Sequence, residues 1–300
     1  MIARLERVWE RAWLAPASAR SLRASRIILA GHALWVVLSK PDIPSLVTWP
    51  DAFFAAVPRS ELFRFGIMRG HPVVEGTLFA LLHVVLIAAL LGIASRTACA
   101  VAGLLLYHFA PFEEIIIGMP HTHFAGLTVP TLALMILAFA EQPSRDGDVQ
   151  SSEYRWPVTL VQLIFAFTYL FAFTGKLRFS GIRWFTGTTI RAQILGDWGV
   201  SPSPLGMPVA SRPFLCWSLA IGTLLFESLF WICVFWVPAR RLFVPLAVLF
   251  HFGILLTMNV YFASAPLLLL FVNWDWAAER VRQSTAGAFR SAAVQPQRPG

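Results

Sequence analysis

The chain has 300 residues, of which 57% are apolar and 13% charged, and its mean hydropathy is +0.66. A water-facing domain carries about a quarter charged residues, so 24 basic and 16 acidic groups are too few to cover a soluble surface of this length. That excludes a soluble enzyme, a nucleic-acid-binding domain and a disordered tail protein, and it points to an integral membrane protein.

The basic balance, with a pI near 10.2, does not bring nucleic acid back as a partner. The basic residues stand between apolar blocks, where a membrane protein uses them to orient itself in the lipid bilayer. Cys99, Cys216 and Cys233 lie in or beside apolar stretches. They form neither a disulfide framework nor a ligand-spaced pair.

From the N-terminus, Leu5, Val8, Trp9, Ala12 and Trp13 recur at helical spacing with Arg4, Arg7 and Arg11 on other faces. This pattern predicts an amphipathic surface helix within residues 1–23. The apolar block that follows starts only near Ile27 and no small-x-small site follows it, so the start does not read as a cleaved signal peptide. Crossing a bilayer takes roughly 20 helical residues. Apolar blocks of that kind run over about 24–39, 73–94, 97–112, 123–140, 157–175, 213–237, 242–261 and 262–275. The first is stretched by Arg23 and Arg26, whose stems can snorkel. The last contains Pro266 and ends in Asn273-Trp274-Asp275-Trp276, with indoles suited to the headgroup zone.

The fold class is therefore all-α, a polytopic helical membrane protein of about eight spans, with six or seven as alternatives. With the N-terminus inside, the cytoplasmic segments hold fifteen basic residues and the outer segments nine, as the positive-inside trend requires. Both termini are then cytoplasmic in a multi-pass protein of the inner (plasma) membrane. Residues 176–212 form an extracytoplasmic interfacial segment after the fifth span. The transmembrane domain covers 24–276, and the Ala, Arg, Gln, Ser and Pro-rich stretch 277–300 reads as a disordered cytoplasmic tail.

Ionisable residues inside spans are functional candidates by default. Here they are His32, Glu75, His83, His108, Glu227 and His251, with Glu113, Glu114, His121 and His123 at an outer boundary. His32 and His83 also fit simple hydrogen bonding between helices, and Glu75 fits a headgroup contact. Glu227 and His251 lie at nearly matched distances from the Pro238–Arg241 turn, so an antiparallel hairpin would set carboxylate beside imidazole. His121-Thr-His123 has ligand-like composition, but without an i, i+4 His pair or a Cys cluster no metal site is expected.

Lys176 is the sharpest candidate. The chain has 22 Arg and only two Lys, and an amine can shed its proton where a guanidinium effectively cannot. Lys176 at a membrane interface thus suits general-base work, the alternative being that it snorkels to the headgroups.

Three stretches in order carry a resemblance. Lys176 in Tyr169-x5-Gly175-Lys176, followed by Trp184-Phe-Thr-Gly187, resembles the lysine segment of vitamin K-dependent γ-glutamyl carboxylases and of their bacterial relatives, the horizontally transferred transmembrane (HTTM) domain proteins. His121-Thr-His-Phe-Ala-Gly-Leu127 is similar to the family's His-x3-Tyr-Gly-Leu segment. The run from Glu227 through Arg240-Arg241 to Phe250-His251 resembles the later carboxylic, basic-turn and Phe-His positions.

The resemblance implies a site open to the extracytoplasmic side and a reduced quinone (vitamin K-like) as the lipophilic cofactor. Lys176 would be the base, His121 its partner, and Glu227 and His251 further catalytic candidates. His123, Trp184 and Tyr169 on the matched stretches are the candidates for substrate contact. Met119-Pro120 and Ala125 depart from the family pattern, and no large luminal domain follows the last span. The expected function is thus a carboxylase-like or quinol-dependent membrane enzyme. The alternative is a non-enzymatic membrane factor in maturation or export of, or immunity to, a secreted peptide. A proton-coupled transporter using Glu227 and His251 is a third reading, against which stands the lack of paired broken helices or matching halves.

Overall fold

The computed structural model describes residues 2–50, 70–117 and 126–293. The fold is all-α: α1 (Ile2–Trp13), α2 (Ala19–Leu38), α3 (Pro72–Leu91), α4 (Ser95–Ile117), α5 (Thr128–Phe139), α6 (Arg155–Ser180), α7 (Thr188–Val200), α8 (Gly206–Ala210), α9 (Pro213–Leu229), α10 (Ile232–Phe235), α11 (Val237–Met258) and α12 (Trp274–Ala293). Two two-residue strands, β1 (Ala17–Ser18) and β2 (Gln150–Ser151), pair antiparallel with Ala17 opposite Ser151. Four helical stretches are long and apolar enough to cross a membrane: Ala19–Leu38, Pro72–Leu91, Ser152–Thr186 and Val237–Met258. Thr128–Phe139 and Pro213–Leu229 are shorter apolar helices.

Local chemistry fixes the ends of these helices. Ser18 caps α2 by accepting from the Ser21 amide at 3.1 Å. Pro72 opens α3, where the amide it lacks would be unsatisfied anyway. Gly92 closes α3 at φ 80°. A side chain there would be strained in the left-handed region, and its Cβ would lie 2.7 Å from the Arg26 guanidinium. Arg26 is thereby laid over the negative end of the α3 dipole. Gly103 lets α4 press on α5, since a Cβ there would sit 3.0 Å from the Met135 backbone nitrogen. Small residues let helices approach in this way where lipid supplies no hydrophobic drive.

The outward surface is apolar. On α3, Leu81, Val84, Ile87 and Leu91 are exposed, and on α11 so are Leu242, Val248, Leu249 and Phe252. Runs of this length belong against acyl chains, not water. Inside, one large core joins α2 to α6, α9 and α11. A second small core of Ile190, Ile194, Ala210, Cys216 and Ala220 holds the 188–210 stretch on α9.

Segments that the charge count places on one side of the membrane also meet at one end of the bundle. Arg155 Nε and Thr159 Oγ1 donate to the Ala12 carbonyl at 3.2 and 2.6 Å. Arg96 Nε donates to Ala138 O at 3.2 Å, and Arg20 pairs with Asp148 and Asp275. At the opposite end, Ser203 Oγ donates to Thr257 O at 2.7 Å and Asn259 Nδ2 to Ser201 Oγ at 2.6 Å.

Two expectations need correction. The apolar block 262–275 holds no membrane-length α-helix; it forms a 3-10 turn over Ala265–Phe271. Pro266 lacks the amide an α-helix would use. Non-helical backbone is tolerated at membrane depth only when buried in protein, and Leu267, Leu268, Leu270 and Phe271 are indeed buried. The carbonyls left over at its end are met by side chains: Gln162 Nε2 donates to Leu270 O at 2.6 Å and Trp274 Nε1 to Leu269 O at 3.2 Å.

The tail read as irregular is instead helical through Ala293. Asp148 tethers it, accepting from Arg282 Nη2 at 2.8 Å while also pairing with Arg20. Hydrogen bonds from Arg282 and then from Arg20 hold the Asp148 carboxyl below its usual range.

Two outcomes follow from these contacts. Gln162→Leu leaves a buried carbonyl unmet and should cost about 1–3 kcal/mol, read as a lower unfolding temperature of the protein in detergent at unchanged helix content. The Asp148 tether has a depressed folded-state pKa, so it is complete above the unfolded value of about 3.9 and is lost as pH falls through the folded value. Protection from hydrogen exchange across 276–285, taken relative to the intrinsic rate at each pH, should fall in acid and, at neutral pH, in Asp148→Asn.

Candidate active site

Arg155, Gln162, Tyr169 and Lys176 stand seven residues apart along α6. Seven residues make almost two turns, so the four share one face, and α6 presents a polar stripe to the rest of the bundle. The two lower members fasten the fold. Arg155 bonds α1 as described, and Gln162 Oε1 accepts from Arg240 Nη2 at 3.1 Å while its amide holds Leu270. Arg240 Nε donates to Cys233 O at 3.2 Å.

The two upper members form the candidate site. Lys176 Nζ donates to Glu227 Oε1 at 2.7 Å, and the two side chains are 22% and 4% exposed. The same ammonium lies 5.3 Å from the centre of the Trp184 ring, within cation–π reach. Two turns below, about 10 Å along the axis, the Tyr169 hydroxyl and His251 Nε2 are 2.8 Å apart. Phe226, beside Glu227 in the chain, packs on Tyr169 at 5.2 Å and on Phe250 at 4.8 Å between ring centres. Helices α6, α9 and α11 thus each contribute to one group of four polar side chains walled by aromatic rings. The turn Gly181–Thr186 carries Trp184 into place. Gly187 ends that turn at φ 75°, and a Cβ there would strike the Trp217 backbone at 2.5 Å, so glycine lets the segment close on α9.

Two atoms in this group have no partner among the described residues. Glu227 Oε2 and His251 Nδ1 are both buried and unbonded. An unmet buried polar group costs about 1–3 kcal/mol. A buried ion pair also adds little net stability, because desolving two charges offsets their attraction. The arrangement is therefore poorly explained as glue. It can hold and pass a proton between Lys176 and Glu227, and the two open acceptor positions can take hydrogen bonds from a molecule entering the site.

The Glu227–His251 pair read from the hairpin does not form, since each residue bonds α6 instead, Glu227 to Lys176 and His251 to Tyr169. The hairpin is not a simple turn. α9 ends at Leu229, and α10 intervenes before α11 begins at Val237, which changes the register assumed from residue counts. Lys176 points to carboxylate and indole rather than to open headgroups. Tyr169 and Trp184 join the site as described. His121 and His123 lie outside the described residues, as do the side chains of Glu113 and Glu114.

The other intramembrane polar groups bond elsewhere, although His32 Nδ1 is also buried and without a partner among the described residues. His32 Nε2 bonds Gly126 O at 2.9 Å and His83 Nδ1 bonds Phe79 O at 2.7 Å. Glu75, expected at the headgroups, is 1% exposed and meets His108 Nε2 at 2.7 Å and the Gly70 amide at 2.8 Å. No group of three or more metal-ligating side chains occurs among the described residues. Sequence reading missed Gln162 and the structural role of Arg155; their seven-residue spacing from Tyr169 and Lys176 was the signal that would have found them.

A double-mutant cycle measures the central contact. Lys176→Met alone leaves the Glu227 charge buried and should cost about 3–5 kcal/mol, whereas adding Glu227→Gln should restore part of the loss. The coupling between positions 176 and 227 should exceed that between 227 and 251, read from unfolding in detergent. No protein-family model, curated protein or solved structure matches the chain, so the site is read from its own geometry.

Proposed function

We propose that the chain is a multi-pass inner-membrane enzyme, akin to the transmembrane core of vitamin K-dependent carboxylases and HTTM proteins, that removes a proton from a lipophilic quinol. In this reading eight crossings leave both termini cytoplasmic, the non-α block 262–275 supplies the last crossing, and Lys176 works at the extracytoplasmic end. The observation that carries the proposal is the paired arrangement of Lys176 with Glu227 and Tyr169 with His251, with two buried acceptor positions left open.

The residues divide the work. Glu227 takes the ammonium proton across the 2.7 Å contact, leaving a neutral amine on Lys176. That amine then accepts the hydroxyl proton of the bound molecule, one N–H bond forming as one O–H bond breaks. The Tyr169 hydroxyl can donate toward the oxygen that gains charge, with His251 Nε2 fixing its direction. Trp184 and Phe250 give planar apolar surface for a ring system, and Phe179 and Ile182, 70% and 79% exposed, open the site toward lipid. A quinol supplies the acidic hydroxyls and the reducing equivalents. His121 remains the proposed partner of Lys176 from the family resemblance. A secreted peptide as the final substrate is a further proposal that rests on the same resemblance.

The test uses the purified protein in nanodiscs with 2-methyl-1,4-naphthoquinol, following oxygen uptake. The wild-type chain should accelerate oxidation. Lys176→Arg, which keeps the charge but not the accessible neutral form, should lower the rate by about 100-fold or more, the scale of general-base catalysis. Glu227→Gln should fall with it, at an unchanged unfolding temperature for the Arg variant. A wild-type chain with no effect on the quinol, or an Arg variant as fast as wild type, overturns the proposal.

A further inference from the structure

A cavity lies at the other end of the bundle from Lys176. It measures about 470 Å³ and is bounded by Arg20, Arg23 and Arg145 on one side and by Ala24, Ile27, Ile28 and Trp274 on the other. Its volume falls in the range of small-molecule sites, roughly 300–1,000 Å³. The two sides differ in chemistry. Ile27 is exposed and continues the apolar surface of α2, while the guanidinium groups gather where α2 meets the loop before β2.

The three arginines are not equally neutralised. Arg20 is occupied by Asp148 and Asp275. Among the described residues Arg23 has no carboxylate partner; its Nη2 donates to the Arg145 carbonyl at 3.1 Å, and its Nε is buried and unbonded. The Arg145 side chain is exposed and in no ion pair among the described residues. Gly147 keeps the floor open, because a Cβ there would lie 3.1 Å from Arg23 Nη2 and 3.2 Å from Arg20 Nη2. A cavity with uncompensated guanidinium donors above and a lipid-facing apolar wall below matches one kind of ligand, an anionic head on an acyl chain.

We propose that this cavity binds the phosphodiester headgroup of an anionic membrane phospholipid. Arg23 and Arg145 take the phosphate oxygens, and one acyl chain lies along Ile27 and Ile28. Guanidinium forks suit phosphate better than ammonium groups do, and basic pockets between membrane helices hold such headgroups. The neutral or zwitterionic lipid lacks the net charge to satisfy both arginines, and a free phosphate leaves the apolar wall uncovered. The site is independent of the Lys176 chemistry.

The experiment is a titration of the detergent-solubilised full chain with dioleoylphosphatidylglycerol, dioleoylphosphatidylcholine or inorganic phosphate, reading the unfolding temperature. The glycerol lipid should raise it saturably, and more salt should shift the curve to higher lipid. Arg145→Gln, an exposed change that spares the fold, should weaken the apparent affinity about tenfold, as expected for the loss of one charge-assisted hydrogen bond. Gly147→Val should abolish the effect by filling the floor. Equal stabilisation by the choline lipid overturns the headgroup assignment, saturation by inorganic phosphate alone overturns the lipid, and an Arg145→Gln chain that responds like wild type overturns the site.

Discussion

Inside an apolar medium every polar group must find its partner within the chain, and α6 concentrates that requirement on one line. Arg155, Gln162, Tyr169 and Lys176 would each be left costly if α6 turned or slid, by about 1–3 kcal/mol for a neutral group and more for a charge. Each is met by a different element: α1 by Arg155, the 265–271 turn by Gln162, α11 by Tyr169 and α9 by Lys176. The rotation and height of α6 are thereby set against four neighbours at once. Apolar packing alone specifies neither well, because lipid tails and leucine side chains are much alike.

The same requirement explains what the sequence made legible. Apolar blocks declare themselves by length, so the long helices and the amphipathic start could be read directly. The clustering of Arg20, Arg96, Arg155 and Arg240 at one end followed from the charge count. The 262–275 block misled because periodicity does not distinguish a buried 3-10 turn from a helix. The carbonyls of its Ala265–Phe271 turn are met by Gln162, distant in the chain, and by Trp274, just past the turn. The tail misled for a related reason. Its composition suits a solvated coil, and the tether that orders it is a carboxylate, Asp148, 134 residues from Arg282 in the chain.

The site was half legible. Lys176, Glu227, His251 and Tyr169 were visible as polar groups in apolar surroundings, and the rarity of lysine singled out one of them. Their pairing was not visible. Residue counts within the Glu227–His251 hairpin assume a tight turn, whereas the break between Leu229 and Val237 lets both residues reach across to the third helix. Pairing across three helices is a property of packing, and only the seven-residue spacing on α6 hinted at it.

Between the two halves of the stripe lies a layer of rings. Phe165 and Phe230 are 6.3 Å apart, Phe230 and Phe271 5.3 Å, and Tyr169 rests on Phe230 at 4.4 Å between centres. This layer separates Gln162 and Arg240 from Tyr169 and His251, and rings of phenylalanine offer a proton no acceptor. A transporter would need polar groups continuous from one end to the other. Here the lower half of the stripe fastens the fold through Ala12, Leu270 and Arg240, while the upper half keeps two open atoms, Glu227 Oε2 and His251 Nδ1. On the proposed reading, protons exchanged at Lys176 then enter and leave on the same side, which fits a site that works from one face better than a path through the membrane.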